Sequence, residues 1–485
     1  MFKRRFKSLK MDIKDILRKG YLVSPSLMSK TALIEQVFEK IPKGVTVINE
    51  TLINQLLSPV KEDVIVDYPV DILKNYSGFM KKREVDDFVN YFKNRYTTIS
   101  EMLKGRTELQ NSLSIRRFLG GQNKDVSFIG IVVDKRVSKN GNILVQLEDT
   151  TGIVTAIITK TKTDLFKLAN DIVVDEVIGV TGACNGNFVF CNSLFYPDVP
   201  ISNEFKKCGD DIYAAFISDI HVGSKMFLPK PLNNFIQWIN GNYGDSYSRE
   251  LASKVKYLFV VGDLVDGVGI YPEQDRELEI KDVNLQYEEC SRYLDQIRKD
   301  IKIITCGGNH DALRLSEPQP MLDKDYAKSL YEIKNMQMVT NPSYVNIHKK
   351  NGFPGFTVLM YHGYSFDYYI SNVESIRLNG GYDRADLVMK FLLQKRHLAP
   401  SHSSTLYIPD IKEDPLVIKD IPDFFVSGHI HKMSVGFYRG ITTLCSSCWQ
   451  GKTIFQEKVG HHPEPGRVPL INLGTREVKV MKFCD

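Results

Sequence analysis

The sequence of 485 residues has no long apolar run and few cysteines. No stretch reaches the roughly 18 apolar residues that a transmembrane helix needs, so we expect no membrane contact. Met1–Lys10 carries five Lys or Arg, but no apolar segment follows it, so a signal peptide is not expected. The eight cysteines are scattered, which favours a reducing compartment over a disulfide framework. These absences predict a cytoplasmic protein.

The chain also lacks a strong excess of charge and a repeated cysteine pair. Its net charge of +5 permits an acidic partner such as nucleic acid but does not require one. Cys445 and Cys448 form a single C-x-x-C pair, and without a second pair at zinc spacing no zinc site is expected there. The hydrophobic content of 43% is typical of a globular protein, and the length predicts roughly two to four domains.

Histidine is absent from the first 220 residues, and the ten histidines begin at His221. Five of them fall in short motifs that combine imidazole, carboxylate and amide side chains, the ligands that suit Mn, Fe or Zn. The motif residues are Asp219 and His221; Asp263 and Asp266; Asn309, His310 and Asp311; His362; and His429 and His431. One such motif alone is usually a surface turn, but five in order predict a metal site.

An apolar run precedes each motif and predicts a buried strand. These runs are Tyr213–Ile217, Tyr257–Val261, Ile301–Thr305, Thr357–Met360 and Phe424–Val426. In layered α/β folds, ligands bind where loops meet at the carboxyl ends of the strands. The spacing therefore predicts that five loops converge on one two-metal site that cleaves phosphoesters.

The expected chemistry assigns a role to each motif residue. Two divalent ions that clamp a phosphoryl group need a bridging carboxylate, for which Asp263 is the candidate. One ion is expected on Asp219, His221 and one of the last two histidines, and the other on Asn309, His362 and the remaining histidine. His310 is the candidate general acid, and Asp311 is expected to orient it and keep it protonated. Asp266 is expected either to support a ligand or to cap a helix.

Upstream of the site, the pattern predicts three further parts. Residues 1–70 are predicted to be a small helical module, with helices over 12–17, 30–41 and 45–59, and residues 71–85 are predicted to be a linker. Residues 86–205 begin with a long amphipathic helix and continue as five short strands between 126 and 196, with a helical break over 160–175. This pattern is typical of an OB-type barrel. Such a barrel binds single-stranded nucleic acid or a protein partner, and we expect the latter.

Longer stretches carry a resemblance to a known family. The five motifs resemble those of the calcineurin-like metallophosphoesterase superfamily. The stretches Ser218–Lys225, Gly262–Pro272, Leu393–Pro400 and Trp449–Thr453 are similar to the small subunit of archaeal family D DNA polymerase. The resemblance implies an α+β multidomain protein in which an OB-type barrel precedes a calcineurin-like α/β sandwich over residues 206–485. Cys445 and Cys448 depart from the expected pattern, and we expect them to lie away from the ligands.

The resemblance also implies an activity and its partners. The protein would be a 3′–5′ proofreading exonuclease that holds two divalent ions, Mn foremost and Fe or Zn as alternatives. The polymerase active site would lie in a large partner subunit, and the substrate would be DNA with a single-stranded or mismatched 3′ end. A sliding clamp is a further partner by family analogy, and the location would be the archaeal nucleoid. The family ligands fall on Asp219, His221, Asp263, Asn309, His362, His429 and His431, and the catalytic histidine on His310.

Several alternatives stay open at this level. The subunit could be a scaffold with a silent site, a repair nuclease, or a phosphatase or cyclic-nucleotide phosphodiesterase. The last class usually carries Arg residues beside the metal motifs that are absent here. Lys390 and Lys395–His397 could contact a DNA backbone or form a solvated helix face. The aromatic residues Tyr364, Phe366, Tyr368 and Tyr369 could stack on an unpaired base or pack in the core.

Overall fold

The structure is a computed structural model that describes residues 13–30, 32–34, 38, 41, 46–50, 52–53, 68–78, 82–410, 412–459 and 461–484. The chain forms two compact units, residues 1–67 and 68–485. Among the described residues, no helix is long and apolar enough to cross a membrane.

The first unit is small and has its own apolar core. It contains helix α1 (Ile13–Arg18) and two short parallel strands, β1 (Leu22–Val23) and β2 (Val47–Ile48). Helix α1 confirms the first predicted helix. The prediction of a helix over 45–59 is wrong where β2 forms, but residues 50, 52 and 53 are helical, and its remaining residues and part of the helix over 30–41 lie outside the described residues. The unit is therefore not purely helical.

The second unit begins with a strand where a linker was expected. Strand β3 (Val70–Lys74) pairs antiparallel with Ser343–Ile347. Val70 and Ile72 alternate along it and pack against the core between two sheets. The linker prediction for residues 71–85 is thus wrong for the strand, because two alternating apolar residues are too short a pattern to recognise before the partner strand is known.

Helix α2 and a closed barrel follow, as predicted. Helix α2 (Val85–Lys104) starts with a capping box between Glu84 and Asp87. The barrel is closed in the order β4-β5-β6-β8-β7. Its elements are β4 (Gln122–Val137), β5 (Ile143–Asp149), β6 (Gly152–Ile158), β7 (Val177–Asn185), β8 (Phe188–Phe195) and the helices α3 (Ile115–Phe118) and α4 (Thr163–Asn170). The five predicted strands and the helical break are confirmed.

Two six-stranded sheets form the rest of the unit. The first has the order β12-β11-β10-β9-β18-β19 and the second β16-β17-β15-β14-β13-β3. The strands are β9 (Tyr213–Ile217), β10 (Val255–Val261), β11 (Lys302–Cys306), β12 (Met336–Met338), β13 (Ser343–Ile347), β14 (Phe356–Met360), β15 (Phe424–Ser427), β16 (Ser434–Tyr438), β17 (Ile441–Cys445), β18 (Arg467–Asn472) and β19 (Val478–Lys482). All five strands predicted before the motifs are confirmed.

The two sheets pack face to face, and helices cover their outer faces. One core cluster lies between the sheets and includes Phe216, Phe259 and Phe424. The helices are α5 (Pro229–Ile239), α6 (Ser246–Ser253), α7 (Val283–Leu294), α8 (Lys324–Tyr331), α9 (Phe366–Asn372), α10 (Glu374–Leu378), α11 (Ala385–Lys395) and α12 (Ile454–Val459). Helices α5 to α8 contribute to the core on the first sheet, and α9 to α11 to the core on the second.

Buried charges join the barrel and helix α2 to Lys395 and to the loop that follows it. Arg95 Nε donates to Asp414 Oδ2 at 2.7 Å, and His397 Nε2 lies 2.8 Å from the same oxygen. Lys395 Nζ lies 2.7 Å from Glu176 Oε2, with both side chains 1% exposed. We call these five residues the buried ion-pair network. The sequence interpretations of Lys395–His397, a DNA contact or a solvated helix face, are both wrong. These residues are buried inside the protein.

Candidate metal centre

The five motif loops leave the carboxyl ends of strands that run in parallel. Strands β9, β10 and β11 are parallel neighbours in one sheet, as are β14 and β15 in the other. Five motif residues adopt the left-handed backbone conformation, with φ between 50° and 71°: Asp219, His221, Asp263, His429 and His431. This conformation is uncommon for residues other than glycine and costs energy, so the fold holds these loops against their local preference.

One cluster of candidate ligands combines a carboxylate and two imidazoles. The Nε2 atoms of His221 and His431 lie 3.0 Å apart. Asp219 Oδ1 lies 3.4 Å from His431 Nε2 and 4.0 Å from His221 Nε2. All three side chains are buried. Their ligand atoms therefore converge on one point, as the ligands of a single ion would.

A second cluster forms around the amide of Asn309. Asn309 Oδ1 lies 3.1 Å from His362 Nε2 and 2.9 Å from His429 Nδ1. Asp263 Oδ2 lies 3.2 Å from His362 Nε2. Of the last two histidines, His429 therefore belongs to this cluster and His431 to the first.

Asp263 lies between the two clusters. Its Oδ2 atom is 3.8 Å from His221 Nε2 as well as close to the second cluster. Its Oδ1 atom accepts a hydrogen bond from the backbone N–H of His310 at 2.8 Å. Burial alone would raise the pKa of Asp263, but the His362 and His310 imidazoles hold it well below its usual range. Asp263 is thus a carboxylate in the position that a bridging ligand requires.

Each candidate histidine ligand is held through its other ring nitrogen. Such outer contacts fix the orientation of a ligand and the position of its ring proton. They join His221 to Asp266 Oδ1, His362 to the carbonyl of Val261, His429 to Asp367 Oδ2 and His431 to the amide of Gln456, at 2.8 to 3.0 Å. Asp266 therefore contacts a candidate ligand and does not cap a helix. The sequence interpretation missed Asp367 and Gln456, which belong to no motif.

His310 and Asp311 do not form the predicted pair. His310 Nδ1 lies 2.9 Å from the carbonyl oxygen of Asp266, and no described residue hydrogen-bonds its Nε2 atom. Asp311 instead accepts hydrogen bonds from the backbone of Gly308 and Leu264 and from Tyr287 Oη. The prediction that Asp311 orients His310 is wrong. Asp311 holds the turn that carries Asn309 and His310.

The electrostatics of this turn support that correction. Burial, followed by the charge of Asp263, raises the pKa of Asp311 to about 7. Burial also lowers the pKa of His310, against the opposing effect of Asp263. A carboxyl group with a raised pKa cannot keep a nearby imidazole protonated as a fixed anion would. His310 therefore takes its orientation from the Asp266 backbone.

A cleft of about 270 Å³ gives access to both clusters. It is lined by His221, Asp263, Asp266, Tyr271, Asn309, His310, Tyr364, Asp367, His429, His431, Gln450, Thr453, Gln456 and His461. Of the four aromatic residues after His362, Tyr364 lines the cleft, whereas Phe366 and Tyr369 are fully buried in the core. Core packing is therefore confirmed for Phe366 and Tyr369, and base stacking stays a prediction for Tyr364.

The C-x-x-C pair lies directly beneath the last ligand loop. Cys445 Sγ is 3.2 Å from the carbonyl oxygen of Gly428, and Cys448 Sγ is 3.8 Å from that of His431. Burial raises the pKa of each thiol to about 12. The expectation that these cysteines lie away from the ligands is wrong. As neutral thiols they pack under the loop between His429 and His431.

Comparison with known proteins places this site in a family. Residues 214–434 match the family model for the B-type subunits of DNA polymerases alpha and epsilon. A DNA polymerase II small subunit from Methanothermobacter thermautotrophicus is 40% identical over 400 residues, which covers 82% of this chain and 80% of that protein. The DNA polymerase II small subunit of Archaeoglobus fulgidus is 36% identical over 497 residues and covers 97% of this chain and 98% of its own.

The match to one solved structure is too weak to indicate the fold. An asparaginyl-tRNA synthetase from Pyrococcus horikoshii matches 17% of this chain and 21% of its own, at 20% identity and a TM-score of 0.16. The two alignments extend over most of this chain and of both archaeal subunits. This chain therefore belongs to the family of DNA polymerase II small subunits, the small subunits of archaeal family D DNA polymerase.

Proposed function

We propose that this polymerase small subunit is a two-metal 3′–5′ exonuclease that proofreads newly made DNA, on a calcineurin-like sandwich domain. The observation that carries the proposal is the pair of ligand clusters that share Asp263. The substrate would be a DNA phosphodiester at a single-stranded or mismatched 3′ end. The sandwich, with helices on both outer faces and ligand loops at one edge, supports the proposal.

The donor set fits two divalent ions. Two buried imidazole nitrogens that face each other at 3.0 Å, beside the carboxylate of Asp219, form a favourable arrangement when a cation lies between them. Lys and Arg are absent from the described lining of the cleft, so no protein cation occupies that role. Mn is the first candidate, and Fe and Zn are alternatives. Bound there, two such ions would activate a water and stabilise charge on the phosphoryl oxygens.

Residues of the protein would orient the ligands, contact the phosphate and hold the substrate. Asp266, Asp367 and Gln456 fix the histidine rings in place. The Nε2 atom of His310 has no described partner within the protein, so it is available to the phosphate or to the leaving 3′ oxygen. The tyrosine ring of Tyr364, at 5.7 Å from the His429 ring, provides an apolar surface beside the reacting group.

The proposal includes a large partner subunit. The relatives are named small subunits, and a small subunit of a polymerase implies a larger one that carries the polymerase active site. In this arrangement, the DNA end that leaves the polymerase site would enter the cleft described above. The barrel and the sandwich belong to one compact unit that would carry both the partner and the nuclease.

Hydrolysis of end-labelled DNA tests the proposal. Single-stranded oligonucleotides labelled at the 5′ or the 3′ end are incubated with the full chain and Mn²⁺, and with chelator. We expect a ladder that shortens from the 3′ end, that needs the metal and that is lost in His310→Ala. The matched control is His402→Ala, which removes an exposed histidine outside the cleft.

Metal content gives a second readout that does not depend on activity. We expect about two Mn²⁺ ions per chain by elemental analysis after gel filtration, and fewer in Asp263→Asn, because that carboxylate contacts both clusters. A folded chain that binds no metal and cuts no DNA would overturn the proposal in favour of a scaffolding subunit. Shortening from the 5′ end would overturn the proofreading role alone.

A further inference from the structure

A second cavity, of about 430 Å³, lies next to the metal cleft. Its described lining includes Arg377, Tyr382, Asp383, Lys432, His461 and His462. His461 lines both the cavity and the cleft. Ile430 and Lys432 belong to the loop that carries His429 and His431. The cavity therefore lies across that loop from the ligand clusters.

The described lining of the cavity carries a small excess of positive charge. Arg377 and Lys432 are cations, His461 and His462 are hydrogen-bonding imidazoles, and Asp383 is the single carboxylate in the described lining. Lys432 Nζ pairs with Asp383, so that the carboxylate is neutralised. Arg377 is exposed and forms no ion pair within the described part of the chain; its Nη1 donates to the carbonyl of Ser371 at 3.1 Å. The lining thus favours an anion.

The wall between cavity and cleft is aromatic. The rings of Tyr382 and His461 have centroids 3.9 Å apart. Burial and the neighbouring Asp367 carboxylate raise the pKa of Tyr382, and the same carboxylate holds His429 of the second ligand cluster. Gly380 and Gly381, which directly precede Tyr382, have positive φ angles of 120° and 52°, a backbone conformation that glycine adopts without strain. Flat rings beside cationic groups are the two features that single-stranded nucleic acid requires.

We propose that this cavity binds the single-stranded DNA nucleotides that precede the terminal one. Arg377 would contact a backbone phosphate, while a base would lie against the Tyr382 and His461 rings. The assignment of these nucleotides to the upstream side rests on the proposed 3′–5′ exonuclease. Binding of single-stranded DNA to the cavity does not depend on cleavage.

The observations favour DNA over a free nucleotide or inorganic phosphate. The cavity and the cleft meet at His461, so a strand that passes over this residue would have nucleotides in both spaces. The cavity volume lies within the range of about 300–1,000 Å³ of ligand pockets, which leaves room for a nucleotide rather than a bare anion. A duplex offers no unstacked base to the Tyr382 ring, so a single strand is the better fit.

Binding without cleavage is the first arm of the test. Fluorescence anisotropy measures the affinity of the full chain for a labelled oligo(dT) in chelator, over a series of salt concentrations. We expect Arg377→Glu to weaken binding about tenfold and to reduce the salt slope by about 0.7, the value for one lost phosphate contact on a single strand. The matched control is Arg249→Glu, the same charge change on the exposed surface of helix α6, which should leave both quantities unchanged.

The length of the probe is the second arm. The chain should bind a longer oligo(dT) more tightly than it binds the dinucleotide of thymidine. Arg377→Glu should remove most of this difference in affinity. Thymidine 5′-monophosphate and inorganic phosphate serve as competitors. One outcome would overturn the proposal: thymidine 5′-monophosphate or phosphate, at a concentration near the Kd of that competitor, displaces oligo(dT) from the wild type but not from Arg377→Glu. The cavity would then be a site for free nucleotide or phosphate.

Hydrolysis distinguishes this inference from the proposed function. With Mn²⁺, the ratio of kcat/KM for oligo(dT) to kcat/KM for bis(p-nitrophenyl) phosphate should fall about tenfold in Arg377→Glu. A Tyr382→Leu variant should lower the same ratio, because the leucine keeps the bulk without a ring for stacking. If Arg377→Glu leaves both oligonucleotide affinity and this ratio unchanged, the cavity proposal is wrong. If no variant cleaves DNA but binding depends on Arg377, the proposed function fails and the cavity proposal stands.

Discussion

The candidate metal centre and the buried ion-pair network are both clusters of buried charge, yet they differ in how their charges are satisfied. In the network, Arg95 and Asp414 are 1% and 0% exposed and bond each other directly at 2.7 Å. In the metal centre, like groups face each other: the Nε2 atoms of His221 and His431 lie 3.0 Å apart. Opposite charges that pair within the protein indicate a structural role. Ligand atoms that converge without a protein cation indicate a place for an ion.

The two clusters also differ in backbone conformation. Five residues of the candidate metal centre adopt left-handed conformations, whereas none of the five network residues does, although their neighbours Asp175 and Arg396 do. Strained backbone persists only where the surrounding structure holds it, and it is concentrated at functional sites. The two clusters therefore differ in the backbone conformation of their own residues. Four variants sharpen it, from the largest expected effect to the smallest.

The network should dominate stability. Arg95→Met should lower the free energy of unfolding by about 3–5 kcal/mol, because Asp414 would remain buried without its cation. Urea unfolding at pH 7 measures the change, and Arg249→Met, at an exposed position, serves as the control with a change below about 0.5 kcal/mol. A double variant, Arg95→Met with Asp414→Leu, should recover most of the loss. A loss below about 1 kcal/mol in the single variant would place Arg95 outside the stabilising contacts.

The metal centre should dominate activity instead. Asp263→Asn should reduce Mn²⁺-dependent DNA hydrolysis by more than about 100-fold. Loss of an outer contact to a metal ligand typically costs about 10- to 100-fold, and loss of a ligand itself should cost more. The reason is that its two oxygens face both ligand clusters and the His310 turn. The far-UV circular dichroism spectrum should match that of the wild type. If Asp263→Asn instead unfolded the chain, the distinction between the two clusters would fail.

Outer contacts within the centre should have a smaller effect. Asp266→Asn should weaken Mn²⁺ binding about 10- to 100-fold, because the amide holds the His221 ring less well than the carboxylate does. Calorimetric titration of the metal-free chain measures this affinity. Asp245→Asn, which alters the cap of helix α6, is the control and should bind metal as the wild type does. Equal affinity in both variants would show that Asp266 does not orient a ligand.

The network should also set part of the acid sensitivity. Burial and then Arg95 lower the pKa of His397 to about 4, against the opposing effect of Asp414 and Asp175. The folded protein keeps His397 neutral while the unfolded chain protonates it below about pH 6.5. Its contribution to stability is therefore present above that pH and is lost as the pH falls towards 4, at up to about 1.4 kcal/mol per pH unit.

His397→Gln tests this acid sensitivity, because glutamine keeps a hydrogen-bonding group but does not titrate. Urea unfolding of the wild type and the variant is compared at pH 7, 6 and 5. The variant should be less stable at pH 7 but should lose less stability between pH 7 and pH 5. Parallel pH profiles for the two proteins would show that His397 does not titrate on unfolding in this range.

Much of the centre was predictable because its information is local. A short apolar run followed by Asp, His or Asn marks both a strand and the loop after it, and parallel strands bring such loops together. The barrel was predictable for the same reason, since alternation and turn residues mark each strand. The edge strand β3 was missed because only its partner β13 makes it a strand.

Residues that act through partners distant in sequence could not be assigned in this way. Asp311 follows His310 directly, but its carboxylate turns towards Gly308, Leu264 and Tyr287. The stretch Lys395–His397 has the composition of a nucleic-acid contact, but Glu176 and Asp414 cover it.

The order and type of the motif residues were thus enough to locate the candidate ligands and to group their loops. The folded chain alone decided which last histidine joins which cluster, which side chains hold the rings, and which charges are buried. The physical reason is range: strand and turn preferences act over a few residues, whereas the pairing of a charge depends on what the fold brings within about 4 Å of it.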